Sequence, residues 1–576
     1  MFQPYFFHLR NIFLHDIFFF EYKIYKRNEI KAMKKTSDIQ ALIIGGGVTG
    51  TGIARDLALR GISSLVIEMG NINDGASGRN HGLLHSGARY VGSDPESAAE
   101  CAREAQILKE IAPHCIEDTG GLYVAVKGDD ESYVADFPNL CKRAGVFCQN
   151  LSVAEALELE PELSKDAIAA FKVKDASVDP FHLSLENMNQ AIEHGAKYYS
   201  NCQAIGFSLE RTISGKKSIK RVKVRNNLTG DCFYITPRVV INAAGAWAGM
   251  VTEFAGIHLD MIYSKGSLLV THNRLSTHVI NRLRPAADGD ILVPGRTVSI
   301  FGTTSVRLDN LDAIQPNFNE IDFLVDQGAQ MIPGLETTRY IRAYAGVRPL
   351  VNSQNEPTGD DRAVSRGFYL FDHSRDDVEN LLTITGGKVT TYRLMAEKTA
   401  DLAAKKLKVT SVCTTAQTPL MSKAPSKLIE AGMSVKLWAR EPVPGDSMMC
   451  ECEMIPKSHF KELILWLKQN RETADLNSLR IHSRLGKGAC QGTFCSLRVT
   501  GFMYDEAYIK GSQGLDNIRF LLTERFKGQK PVLWGSQLAQ AELNEAMFCS
   551  FYGLDMESDM ADPDMVEDKK GQKNGR

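Results

Sequence analysis

The sequence predicts an α/β fold, and three observations predict it. Asp38–Ile44 reads as a buried strand that runs into Gly45-Gly46-Gly47-Val48-Thr49-Gly50, and a helix follows from Thr49 to Arg60. Ser63–Glu68 reads as a second strand, so strand, helix and strand make one right-handed parallel unit. Further along, Val239–Asn242 and Leu382–Thr385 read as buried strands, each ending in a small-residue turn.

The first turn matches G-x-G-x-x-G, and each glycine has a physical task. Gly45 permits the tight turn, Gly47 lets a pyrophosphate approach the backbone, and Gly50 lets helix and strand pack. The helix N-terminus offers unpaired N–H groups to phosphate. Glu68, ending the next strand, would accept from ribose hydroxyls and disfavour a 2′-phosphate. FAD and NAD share this pattern. FAD is favoured because widely separated segments offer further sites of close backbone approach. These are the loop Asp74–Asn80 with Ser77, the turn Ala243-Ala244-Gly245-Ala246-Trp247, and Thr385-Gly386-Gly387-Lys388.

Other elements follow from periodicity. Ser97–Ile111 and Ser184–His194 read as amphipathic helices, and a helix after Lys388 reaches about Ala404. Arg221–Arg225 and Cys232–Ile235 alternate in polarity around Asn226–Gly230, a hairpin signal. Residues 33–407 are assigned to an oxidoreductase body, 408–448 to a linker, 449–512 to a cysteine-bearing domain and 513–554 to a helical segment. Residues 555–576 are polar and read as a disordered tail.

Residues 1–32 stand apart. They hold ten aromatics, from Phe2 to Tyr25, without helical periodicity, and read as a non-native or disordered extension ahead of Met33.

Composition narrows the function class. A chain of 576 residues is long enough for several domains and large cores. A formal charge of −2 gives no basic footprint, so nucleic acid is not an expected partner. No uncharged apolar run reaches the ~18 residues of a membrane span. Twelve cysteines in a chain this long suggest a reducing compartment, with any functional cysteines serving as metal or redox groups.

Cations recur beside Gly, Pro or Ser. His85 and Arg89 lie four apart, followed by Tyr90; Arg348 sits in Gly346–Leu350, Arg366 in Ser365–Gly367, and Lys388 after its glycine pair. Arginine forks suit phosphate.

Long motifs here resemble the A subunits of anaerobic glycerol-3-phosphate dehydrogenases, over about Ser37 to Leu554. The motifs are Gly78–Tyr90, Val178–Phe181, Lys265–Leu269, Asp290–Gly295, Gly302–Ser305, Gly346–Leu350 and Thr385–Lys388. The resemblance implies a flavoprotein of the D-amino-acid-oxidase-like class. Its Rossmann-like FAD domain is interleaved with a mixed-sheet substrate domain, and a small α-rich four-cysteine domain follows. It also implies that Arg89, Arg348, Arg366 and Lys388 line the substrate and flavin site, with His85 and Tyr90 close by. Aerobic relatives built of a single chain carry His after Lys-Gly-Ser, where this chain has Leu268, so the proton acceptor is open and His85 is the candidate.

Cys450-x-Cys452 and Cys490-x4-Cys495 are separated by 37 residues. Four thiolates can hold a 2Fe-2S cluster or zinc. The pattern resembles the bacterioferritin-associated-ferredoxin-like domain, which implies a 2Fe-2S cluster; zinc and a metal-free quartet stay open. The other eight cysteines, Cys115 among them, read as small buried hydrophobes.

The expected function is oxidation of sn-glycerol 3-phosphate to dihydroxyacetone phosphate by hydride transfer to FAD. Electrons would pass through the cluster, a second soluble subunit, then a membrane-associated iron–sulfur subunit to menaquinone. The chain would be cytoplasmic, held at the inner membrane by those partners. The alternatives are a same-fold amine or amino-acid dehydrogenase and a non-catalytic electron-transfer subunit.

Overall fold

The computed structural model describes residues 39–312, 314–351, 367–421, 444–469, 473–488 and 490–554. The expected N-terminal extension, the C-terminal tail and Arg366 lie outside the described residues.

Among these, a parallel sheet runs in the order Leu381–Gly386, Pro237–Asn242, Ile39–Ile44, Ser64–Ile67, Lys197–Tyr199, with Phe368–Asp372 antiparallel on its outer edge. Its central strand is apolar at consecutive positions because both faces are covered. Ala41 and Ile43 face a cluster with Ile53, Leu57, Met188 and Ala400 from three helices. Leu42 and Ile44 face the opposite way, onto Val222 and Val224 of a three-stranded meander, Cys202–Arg211, Lys217–Asn226 and Cys232–Ile235. The helices on the first face are Val48–Leu59, Pro180–Glu193 and Tyr392–Leu407. These elements fall within a few residues of the sequence expectation. The helix read from Ser184 starts four residues earlier, because Asp179 caps it by accepting the N–H groups of Phe181 and His182 and Pro180 supplies the first-turn φ.

A second, mixed sheet carries the other side of the cavity. Met261–Thr271 pairs antiparallel with Tyr340–Val351 over eleven positions, placing Ser264 opposite Arg348 and Gly266 opposite Gly346. Val298–Gly302, Ile291–Gly295, Val279–Arg282, Gly121–Val126 and Ala167–Val173 extend that sheet.

The chain after residue 444 docks on both parts. Helices Lys457–Gln469, Leu476–Ser483 and Cys495–Asp505 share a core of Phe460, Leu463, Leu479, Val499 and Met503. Ile481 reaches the core of the parallel sheet, while Val532 and Leu533 join the core beneath the mixed sheet. Residues 409–421, read from sequence as the start of a linker, lie packed on the body. Leu420 is fully buried, Arg55 donates to the Thr418 carbonyl, and Gln190 donates to Pro419 and Met421.

Candidate active site

One cavity runs from the glycine turn to the mixed sheet. At one end, Gly45 takes φ +116°, and a Cβ there would collide with the Ala243 carbonyl. A Cβ on Gly47 would come 2.9 Å from Ser77 Oγ, which accepts the Val48 N–H at 3.0 Å. Gly50 packs on the Gly45 carbonyl, holding helix against strand as its spacing predicts. The Glu68 carboxylate accepts the N–H groups of Gly46 at 2.6 Å and Gly70 at 2.9 Å. Burial pushes its pKa up to about 7 despite these bonds. Ala244, Gly245, Gly386 and Gly387 line the same cavity at the ends of the two neighbouring parallel strands.

At the other end lie His85, Arg89, Tyr90, Arg348 and Lys388. Arg348 reaches across its sheet partner to Ser264 Oγ, Thr303 Oγ1 and the Thr304 carbonyl. Arg89 is tied to Asp290 at 3.0 Å and to the Ala287 carbonyl at 3.1 Å. Asp290 is fully buried and is gripped from its other side by Arg284 at 2.9 Å. The Lys388 ammonium stands 4.4 Å over the Tyr90 ring. His85 donates its backbone N–H to Thr390 Oγ1, sets Nε2 3.5 Å from the Tyr90 hydroxyl, and leaves Nδ1 buried without a hydrogen-bond partner. Burial, then His81, Lys388 and Arg89, hold its pKa well below the usual imidazole value. Neutral at pH 7, it can accept a proton.

The residues predicted for the flavin and substrate site thus line one cavity, except Gly50, which packs behind the turn, and Arg366, which lies outside the described residues. Their fixers were not expected: Asp290 and Thr303 were visible in motifs and Ser264 in none, and their contacts depend on sheet register. Leu268 lines the cavity and is buried, so it offers no proton acceptor there.

This constellation has counterparts. Residues 40–402 match the FAD dependent oxidoreductase family, DAO. The A subunit of the anaerobic glycerol-3-phosphate dehydrogenase of Escherichia coli K12 is 40% identical over 548 residues, covering 91% of this chain and 99% of that protein. The chain belongs to this A-subunit family. The A1 subunit from Haloferax volcanii is 36% identical, covering 92% of this chain and 93% of its own length. In fold, the chain is similar to a Bacillus halodurans glycerol-3-phosphate dehydrogenase solved with FAD, at TM-score 0.62 and 22% identity, covering 89% and 99% of the two chains. The A-subunit fold is therefore that of an FAD-dependent oxidoreductase, and the cavity's geometry fits FAD. The glycine turn leaves room where a Cβ would intrude, and an acid sits at the ribose position.

The A-subunit chain also gathers the cysteine quartet. Cys495 lies beside Cys450 and Cys490, and Cys490 beside Cys452. Backbone N–H groups of Glu453 and Gly486 point at the Cys450 sulfur, and those of Gly492 and Phe494 at Cys490. Cys490 is pulled down to about 5, first by its neighbour Cys495. Gly488 must be glycine-small, because a Cβ would run into that of Cys452. Four thiols in a row of neighbouring pairs, Cys450 to Cys495 to Cys490 to Cys452, served by backbone donors, suit a thiolate-bound cluster. Arg484 ties this region to the flavin-side body through Asp179 at 2.5 Å, and holds Glu453 at 3.0 Å. No helix among the described residues is long and apolar enough to cross a membrane.

Proposed function

We propose that the chain is the catalytic subunit of an FAD-dependent sn-glycerol-3-phosphate dehydrogenase yielding dihydroxyacetone phosphate. The observation that carries this reading is the single cavity joining the glycine turn and Glu68 to Arg89, Arg348 and Lys388. Glu68 would hold the adenosine ribose of FAD, and the N-terminus of Val48–Leu59 its pyrophosphate. Ala244, Gly245, Gly386 and Gly387 supply backbone against the rest of the cofactor. When bound, FAD supplies a two-electron acceptor for the C2 hydride. Arg348, held by Thr303 and Ser264, takes the substrate phosphate, with Arg89 steadied by Asp290 and with Arg366, outside the described residues, as the further cation expected from sequence. His85 accepts the C2 hydroxyl proton, Tyr90 orients its ring, and Lys388 steadies negative charge developing on the oxygen.

The cysteine quartet, Cys450, Cys452, Cys490 and Cys495, would hold a 2Fe-2S cluster, which supplies one-electron transfer. Two partners, a second soluble subunit followed by a membrane-associated iron–sulfur subunit, would then receive electrons for quinone, placing the cytoplasmic chain at the inner membrane. Residues 33–407, 449–512 and 513–554 would be the oxidoreductase, cluster and helical segments.

An anaerobic absorbance titration of the holoprotein tests the reading. Glycerol 3-phosphate should bleach the flavin band while glycine and sarcosine leave it unchanged. Bleaching by an amino acid alone, or by no small substrate, would overturn it.

A further inference from the structure

Beside the body's contact with Arg484, four ligand-type side chains converge that the proposed reaction does not use. His114 and Cys115 lie in the single turn Pro113–Cys115. His182 and Glu186 lie one helical turn apart on Pro180–Glu193. The two elements are joined by the backbone, since the Asp179 N–H donates to the Cys115 carbonyl at 2.9 Å. The ligand atoms of His114, Cys115 and His182 all lie within 4.8 Å of one another. The Glu186 carboxylate lies beside the two rings, with Oε1 3.6 Å from His182 Nε2 and Oε2 3.9 Å from His114 Nε2, and a side-chain rotation would bring one oxygen to the fourth position.

Those separations are informative. Hydrogen bonds between such groups run ~2.7–3.2 Å. Ligands on one tetrahedral zinc, bound at about 2.0–2.2 Å, stand roughly 3.4 Å apart. The two separations from Glu186 to the imidazoles, 3.6 and 3.9 Å, are nearer the second spacing than the first. His182 is only 2% exposed, yet neither ring nitrogen has a hydrogen-bond partner. A buried imidazole with both nitrogens unserved is costly unless something else engages it. Glu186 is equally buried. A thiolate, a carboxylate and two neutral imidazoles balance a dication, which offsets the burial of both anions.

We propose that His114, Cys115, His182 and Glu186 form a structural zinc site. Four protein ligands fill a tetrahedral shell and leave no position for substrate. The partly exposed edge of His114 gives the ion its entry path. Binding releases the Cys115 proton to solvent, and the site pins the turn 113–115 to the first turns of the helix that bears Asp179.

The test uses the full-length holoprotein loaded with zinc. Metal analysis should find one zinc per chain that survives Cys495→Ser. His114→Gln, at the exposed edge, should weaken zinc retention against a chelator by about 100-fold or more. Flavin content and circular dichroism report whether that variant is folded. Should it misfold, zinc-edge X-ray absorption on the unmodified protein decides, with one sulfur and three nitrogen or oxygen neighbours expected. A protein that retains no zinc, four sulfur neighbours, or zinc lost with Cys495→Ser and indifferent to His114→Gln in a folded protein would overturn the proposal.

Discussion

Arg348 lies directly over Gly266, close enough that a Cβ built on that glycine would come within 2.6 Å of Nη2. The atom that must move is the far end of a long side chain, not backbone. Gly266→Ala should therefore leave the fold and flavin content intact while displacing the guanidinium. The expected result is a rise in KM for glycerol 3-phosphate, measured by steady-state dye reduction. Arg348→Lys, which loses the fork, should raise KM by about 10- to 150-fold, the worth of a charged hydrogen bond. An unchanged KM in both variants would remove Arg348 from substrate binding.

His85 is held neutral by burial and by its cationic neighbours. His85→Gln should lower kcat by about 10^2- to 10^4-fold with flavin still bound. Because the ring's pKa sits well below 6.5, its own titration should set no limb in the pH–rate profile near that value. A limb there, abolished in the variant, would contradict the assignment.

Glu68 carries a raised pKa of about 7. Protonation is favoured by the fold, so this group's contribution to stability is present below the unfolded carboxyl value and lost as pH rises through about 7. Ribose hydroxyls need the ionised form as acceptor. Affinity of the deflavinated protein for FAD should thus rise with pH up to about 7 and then flatten. Glu68→Gln should abolish that slope and weaken binding by roughly 10- to 150-fold, as measured by flavin fluorescence quenching.

Asp179 is largely but not fully buried, and although burial would raise its pKa, Arg484 and then Lys487 hold it well below the usual carboxylate range. Its folded value is depressed, so the stabilisation is present above the unfolded value of about 4 and lost as pH falls. Arg484→Gln removes the nearer of the two cations from a largely buried carboxylate, leaving Lys487, and should lower Tm. Flavin reduction by substrate should persist while delivery of electrons to an acceptor slows. Loss of both, in a folded variant, would show that the ion pair supports the flavin site itself.

The parallel core and the glycine turn were legible in sequence because strands covered on both faces are continuously apolar, as at Ala41–Ile44, and because the turn's steric demands are local. The chemistry was legible as residue types: His85, Arg89, Arg348 and Lys388 do meet in one cavity. What fixes them was not. The pairings of Arg348 with Ser264 and of Arg89 with Asp290 cross 84 and 201 positions. They depend on antiparallel register and on loop path, neither of which has a period in the chain. The docking of Thr418–Leu420 was hidden because a run of Thr, Gln and Pro buries mainly its carbonyls, which composition does not advertise.

The loop Arg79–His81 lines the substrate-side cavity and also the cavity bordered by Arg480, Arg484 and Lys487. It is a party wall, three residues thick in sequence, between two rooms. Asn80 braces it from within by donating to Ser77 and accepting from Gly82, and Tyr344 braces it from the mixed sheet by donating to the Asn80 carbonyl. Any rearrangement that lets a larger molecule into one room must therefore reshape the other.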